Sequence, residues 1–151
     1  MKMRKNRTVR RADRSDSGTL AGLAVQMWSD ASVPELADSF AELAEKENAA
    51  CFLMLADGQA VAFAQCGLRY DYVEETKTSP VGYLEGIFVL PPYRNTGIAA
   101  ELLSCCEAWA KEKNCTEFAS DCELSNTDSL RFHLATGFEE VNRIICFSKP
   151  L

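Results

Sequence analysis

Tyr83-Leu84-Glu85-Gly86-Ile87-Phe88-Val89-Leu90 is a nearly unbroken apolar run closed by Pro91-Pro92, and the loop Arg94-Asn95-Thr96-Gly97-Ile98-Ala99 follows it. Downstream, Ile98, Leu102, Cys105, Cys106 and Trp109 recur at helical spacing, which predicts an amphipathic helix reaching Lys113. A buried strand feeding through a loop into a helix N-terminus gathers unpaired backbone N–H groups beside the positive end of a helix dipole. That geometry suits a phosphate. Gly97 lets the backbone come close to a ligand, and Ala99 keeps the first helical turn slim. Neither common nucleotide loop is present: the chain has no Gly-Lys-Ser/Thr end here and no three-glycine fingerprint.

Other elements can be placed around this unit. Thr8 to Arg11 reads as a short strand, followed by a helix with Leu20, Leu23, Ala24 and Met27 on one face and Trp28 at its end. A second helix starts at Pro34 and turns Leu36, Phe40 and Leu43 inward. Cys51 to Ala56 and Ala60 to Leu68 flank Asp57-Gly58, a hairpin signal. Arg69 to Pro80 is a polar loop. Thr116 to Ser120 reads as a strand, Asn126 to Thr136 as a last helix stopped by Gly137-Phe138, and Ile144 to Ser148 as the strand that ends the sheet. With no repeat, linker or low-complexity tract, residues 1–151 are expected to form one domain, with residues 1–7 as a basic N-terminal arm.

Composition narrows the function. The longest apolar run, Ala49 to Ala56, is far too short for a membrane span, and the basic N-terminus lacks the apolar stretch of a signal peptide. The seven cysteines are odd in number and without paired spacing, so buried free thiols in a reducing cytoplasm are expected rather than disulfides. One histidine and no Cys-x-x-Cys pair argue against zinc, and no metal is expected. Residues 1–14 carry seven of the 16 basic residues and one of the 22 acidic ones, which leaves the remainder with nine positive and 21 negative charges, a net of −12. Such a body repels nucleic acid and attracts polycations.

The R-x-x-G-x-A loop in its strand–loop–helix setting resembles the pyrophosphate loop of the acyl-CoA N-acyltransferases, the GNAT superfamily. A longer set of segments resembles one branch of it. Asp71-Tyr72-Val73, Ser79-Pro80-Val81, Leu84 through Pro91, Phe118-Ala119-Ser120-Asp121, Asn126 and Gly137-Phe138-Glu139-Glu140 are together similar to the aminoglycoside 6'-N-acetyltransferases. The resemblance runs from about residue 20 to the C-terminus. It implies an α/β (α+β) fold with a mixed, mainly antiparallel central sheet flanked by helices on both faces. It further implies acetyl-CoA as donor, the 6'-amino group of a polycationic aminoglycoside as acceptor, and a homodimer. Carried over residue by residue, Trp28, Tyr72, Glu85 and Asp121 would bind the antibiotic. The coenzyme would lie along Ile87, Phe88 and Val89 and over the amides of Asn95, Thr96, Gly97, Ile98, Ala99 and Ala100, with Asn126 nearby. The loop departs from the family where Asn95 and Thr96 replace the usual glycine and basic residue. His133 stands where many members have a tyrosine that protonates the leaving thiolate.

Glu85 has the sharpest signal in its own right. A carboxylate inside an apolar strand must be paired, protonated or facing a cleft, because burying it alone is costly. By period-two alternation it shares a face with Tyr83 and Ile87, and Gly86 beside it suits a bulge. Pairing with an arginine and a place in the site both satisfy this. Asp121 either caps a turn or acts in the site, Trp28 is a core aromatic or a substrate wall, Tyr72 a loop anchor or a substrate contact, and Asn126 a helix N-cap, a coenzyme contact or both. Glu85 first and Asp121 second are the candidates to take a proton from an attacking ammonium. The expected reaction is direct attack on the acetyl thioester in a ternary complex, with the oxyanion held by a strand N–H near Val89. Two alternatives stay open: an N-acetyltransferase of polyamines or other small amines, and a non-catalytic acyl-CoA-binding module.

Overall fold

Strand alternation and helix caps set the elements of the computed structural model, which describes residues 6–151. β1 (Arg7–Arg11) leads through the 3-10 turn Arg14–Asp16 into α1 (Ser17–Ala24) and α2 (Val33–Leu43). A capping box closes the start of α2, with Ser32 accepting from the Glu35 N–H and Glu35 accepting from the Ser32 N–H. β2 (Ala49–Ala56) and β3 (Gln59–Arg69) form the hairpin expected at Asp57-Gly58. β4 (Val81–Val89), α3 (Ile98–Glu112), β5 (Phe118–Ser120) and α4 (Thr127–Ala135) complete the order.

The five strands lie in sequence order. Neighbours run antiparallel except the β4–β5 pair, which is parallel and joins only Gly82–Leu84 to Phe118–Ser120. Two apolar clusters sandwich the sheet. On one face α1 and α2 bring Leu20, Leu23 and Phe40 onto Leu53 and Phe63. On the other, α3 brings Ile98, Leu102, Cys106 and Trp109 onto Met54, Ala62 and Leu84, and Phe132 and Phe138 pack at the margin. The sheet is mixed and mainly antiparallel with helices on both faces, as the family resemblance implied.

Three expectations need correction. α1 ends at Ala24, so Trp28 lies beyond the helix, with its N–H donating to the Ala24 carbonyl at 2.7 Å. Arg7 belongs to β1 and not to a basic arm; residues 1–5 lie outside the described region. The segment Ile144 to Ser148 does not close the sheet. Ile145 and Phe147 are 80% and 90% exposed, and Cys146, expected as a buried thiol, is exposed with them. The segment has strand composition, but among the described residues it pairs with no strand of the sheet.

Candidate active site

Glu85 interrupts the alternation of β4 at a bulge. The β3–β4 register steps from Gln65↔Gly86 to Cys66↔Leu84, so Glu85 has no partner residue on β3. An extra residue re-aims its neighbours. Leu84 and Ile87 both join the α3 cluster while Phe88 joins the α1 cluster, so Ile87 does not share the face expected from period-two alternation. Gly86 sits at this bulge as expected, and the reason is close packing: a Cβ there would stand 2.7 Å from the Trp28 ring. Trp28 in turn meets Phe63 edge-on, with ring centroids 6.2 Å apart.

The Glu85 carboxylate is paired. Arg69, the last residue of β3, donates from Nε and Nη2 to its two oxygens at 3.1 and 2.8 Å. The same guanidinium lies 3.5 Å over the Tyr83 ring centroid, and the Tyr83 hydroxyl donates to Asp121. Glu85 and Asp121, one at the β4 bulge and one just past β5, are thus brought together through Arg69 and Tyr83. Hydrogen bonding to Glu85 holds the Arg69 guanidinium above its usual range. Burial and the bond to Asp121 push the Tyr83 hydroxyl up, which keeps it a donor. The pair stands at an opening: the Arg69 and Glu85 side chains are 43% and 29% exposed.

Past the bulge, among the described residues, no strand pairs with β4 on its β5 side. The Leu90 N–H donates to the Val61 carbonyl, towards β3. Strand alternation therefore turns the Phe88 N–H towards β3 and the Ile87 and Val89 N–H groups to the free edge. The Val89 carbonyl on that edge accepts from Arg94 Nε at 2.7 Å. In the loop, Asn95 and Gly97 hold φ of 63° and 88°, a left-handed geometry that glycine adopts without strain. Among the described residues no side chain caps α3, and the N–H groups at a helix start are the kind that bind an anion.

The remaining predicted residues divide. Tyr72 is exposed, and its hydroxyl accepts from the Glu75 N–H at 2.9 Å within its own loop. The Asn126 side chain caps α4 by accepting from the Ser129 N–H at 3.1 Å. His133 Nδ1 lies 2.7 Å from the Ser129 carbonyl and donates to it, and Nε2 lies 2.8 Å from Ser120 Oγ. Both ring nitrogens are engaged. Among the cysteines, burial pushes the Cys51 thiol up to about 12 and also raises Cys105 and Cys115, and a hydrogen bond with Cys66 together with burial raises Cys106, which argues against a thiolate nucleophile in these places.

Three residues escaped the sequence reading. Tyr83 was placed on the face of Glu85, but its bond to Asp121 depends on the parallel β4–β5 pairing. Arg69, expected as the first residue of a polar loop, is the last residue of β3. Arg7 is the third: its Nη1 donates to the Thr96 carbonyl at 3.1 Å, and it pairs with Glu101 on the first turn of α3. No local signal marks that contact, because its partners lie 89 and 94 residues along the chain.

The bulged strand, open edge and uncapped helix start form an acyl-CoA N-acyltransferase framework, and the chain belongs to the acetyltransferase (GNAT) family, whose sequence model matches residues 15–138. The aminoglycoside N(6')-acetyltransferase type 1 of Acinetobacter haemolyticus is 44% identical over 126 residues, covering 83% of this chain and 86% of that protein. The enzyme of the same name from Stenotrophomonas maltophilia is 39% identical over 144 residues, covering 95% and 94%. Among solved structures, AAC(6')-Iy in complex with the bisubstrate analogue CoA-S-monomethyl-acetylneamine superposes with a TM-score of 0.92 at 35% identity, covering 97% of this chain and 100% of that one. Within the family, these relatives put the chain among the aminoglycoside N(6')-acetyltransferases.

Proposed function

We infer that this protein transfers the acetyl group of acetyl-CoA to the 6'-amino group of aminoglycoside antibiotics and so confers resistance to them. The observation that carries this is the acidic pair Glu85 and Asp121 at the bulge of β4, directly before the free edge formed by Ile87, Phe88 and Val89. The pantetheine arm lies along that edge. The pyrophosphate rests over the amides of Asn95, Thr96, Gly97, Ile98, Ala99 and Ala100, with Asn126 close by. The acceptor binds between Trp28, Tyr72, Glu85 and Asp121.

Transfer is direct, in a ternary complex. A relative that binds one molecule joining CoA to an aminoglycoside fragment supports this. The acceptor reaches the site mostly as ammonium, and Glu85, or Asp121 in its place, takes the proton directly or through water. The neutral nitrogen attacks the thioester carbonyl, and the oxyanion is held by the Val89 N–H. The C–S bond then breaks, and the thiolate takes its proton from solvent, since both nitrogens of His133 are engaged.

The same reading makes residues 1–151 a single domain working in the cytoplasm, where reduced thiols such as the seven free cysteines persist. It also makes the protein a homodimer, with the exposed apolar C-terminal segment as the surface a second copy covers. No helix of the described residues is long and apolar enough to cross a membrane, and the acidic body gives nucleic acid no footing.

The test is acetyl transfer by the purified protein from acetyl-CoA to kanamycin, tobramycin, gentamicin components with and without a free 6'-amine, and spermidine, with mass spectrometry locating the acetyl group. Acetylation confined to acceptors with a free 6'-amine is expected. Spermidine as the preferred acceptor would instead make this a polyamine enzyme, and coenzyme binding without any transfer would leave a binding module.

A further inference from the structure

We propose that Arg69 occupies the position an acceptor ammonium takes in the site, and that acceptors bind by displacing it, which makes Arg69 the residue that sets the affinity an acceptor must overcome, a cost that the further ammonium groups of a polycation offset. The inference rests on the reading of Glu85 as an acceptor carboxylate and adds the residue that competes for it.

Three features that recognise an ammonium converge on the Arg69 guanidinium. Both Glu85 oxygens accept from it at 3.1 and 2.8 Å. The Tyr83 ring lies under it at 3.5 Å, a cation–π distance. A second carboxylate, Asp121, is held by the hydroxyl of that same ring. An incoming ammonium needs the same groups, and the guanidinium already bridges the Glu85 carboxylate and the face of the Tyr83 ring, so the two cations compete. Arg69 can yield: it is the last residue of β3, followed by the 70–80 loop, and its side chain is 43% exposed, so swinging into water carries little desolvation cost. Exchange of one cation for another nearly cancels in charge. A monoamine therefore gains little, whereas a polycation brings further ammonium groups to the acidic body without a further displacement.

The experiment compares wild type with Arg69→Gln and Arg69→Lys, saturated with acetyl-CoA, on kanamycin and on methyl 6-amino-6-deoxyglucoside, a monoamine with the same reacting group. Arg69→Gln should lower the KM of both acceptors by a similar factor, on the order of tenfold, while Arg69→Lys should stay close to wild type. A rise of both KM values with a fall in kcat, restored by Arg69→Lys, would mean that Arg69 merely props Glu85, and the proposal would be wrong. A readout without turnover is the NMR signal of the Arg69 Nε–H in the coenzyme complex. Saturating kanamycin should shift it and speed its exchange with water; an unchanged signal, with binding shown by calorimetry, overturns displacement. Should Glu85→Gln leave kanamycin binding intact, the fault lies earlier, in assigning the acceptor to Glu85, and the proposal falls with that assignment.

Discussion

Glu85 holds a position whose cost to the fold is modest and whose use lies elsewhere. Its pair with Arg69 is partly exposed, and such pairs contribute about 0.2–1 kcal/mol, too little to explain a carboxylate inside an apolar strand. Glu85→Gln keeps the shape of the side chain and removes its basicity. We expect it to lower kcat by on the order of 100-fold or more, with the melting temperature and the acetyl-CoA KM close to wild type. Steady-state kinetics beside a thermal melt would check this, and unchanged turnover would take Glu85 out of proton transfer. The importance of this residue was legible in the sequence because a lone charge in an apolar run demands an explanation. Its partner was not. Arg69 lies 16 residues away, and only the β3–β4 register with its bulge brings the two together.

Among the elements, the strand–loop–helix unit from β4 to α3 was the most legible, since local chemistry decides it: prolines end the strand, Gly97 supplies the left-handed turn, and Ile98 to Trp109 supply the buried face. What sequence could not show is how the loop is held. Thr96 donates its hydroxyl to the Tyr93 carbonyl at 2.6 Å while its own carbonyl accepts from Arg7 at 3.1 Å. Arg7 is nearly buried there, with 14% of its side chain exposed. These two bonds fix the Thr96 peptide within the loop. Arg7→Met retains the apolar stem and loses the tie. It should raise the KM for acetyl-CoA by on the order of tenfold, the low end of what losing one charge-assisted hydrogen bond costs, and leave the acceptor KM near wild type. A larger effect on the acceptor than on the coenzyme would show that the tie serves something other than the pyrophosphate loop.

At the scale of the whole molecule, the C-terminal segment separates what one chain can satisfy from what it cannot. Val141, Ile144, Ile145 and Phe147 are apolar enough for the strand read from the sequence, yet each is more than half exposed. The expectation failed because periodicity reports that a segment wants a neighbour, not whether its own chain supplies one. Here the sheet ends at β5, only three residues long and joined to β4 alone. Exposed apolar side chains on a segment of strand composition invite association, and in a two-fold dimer each copy could cover the segment of the other. Light scattering on the full chain should therefore give twice the monomer mass. Ile145→Asp with Phe147→Asp should shift it towards the monomer, because a buried unpaired carboxylate opposes assembly while the same charge on a solvated tail costs nothing. Far-ultraviolet circular dichroism would show that the variant still folds. A wild-type chain that runs as a monomer at micromolar concentration would remove the dimer, and the segment would then need a different partner to cover it.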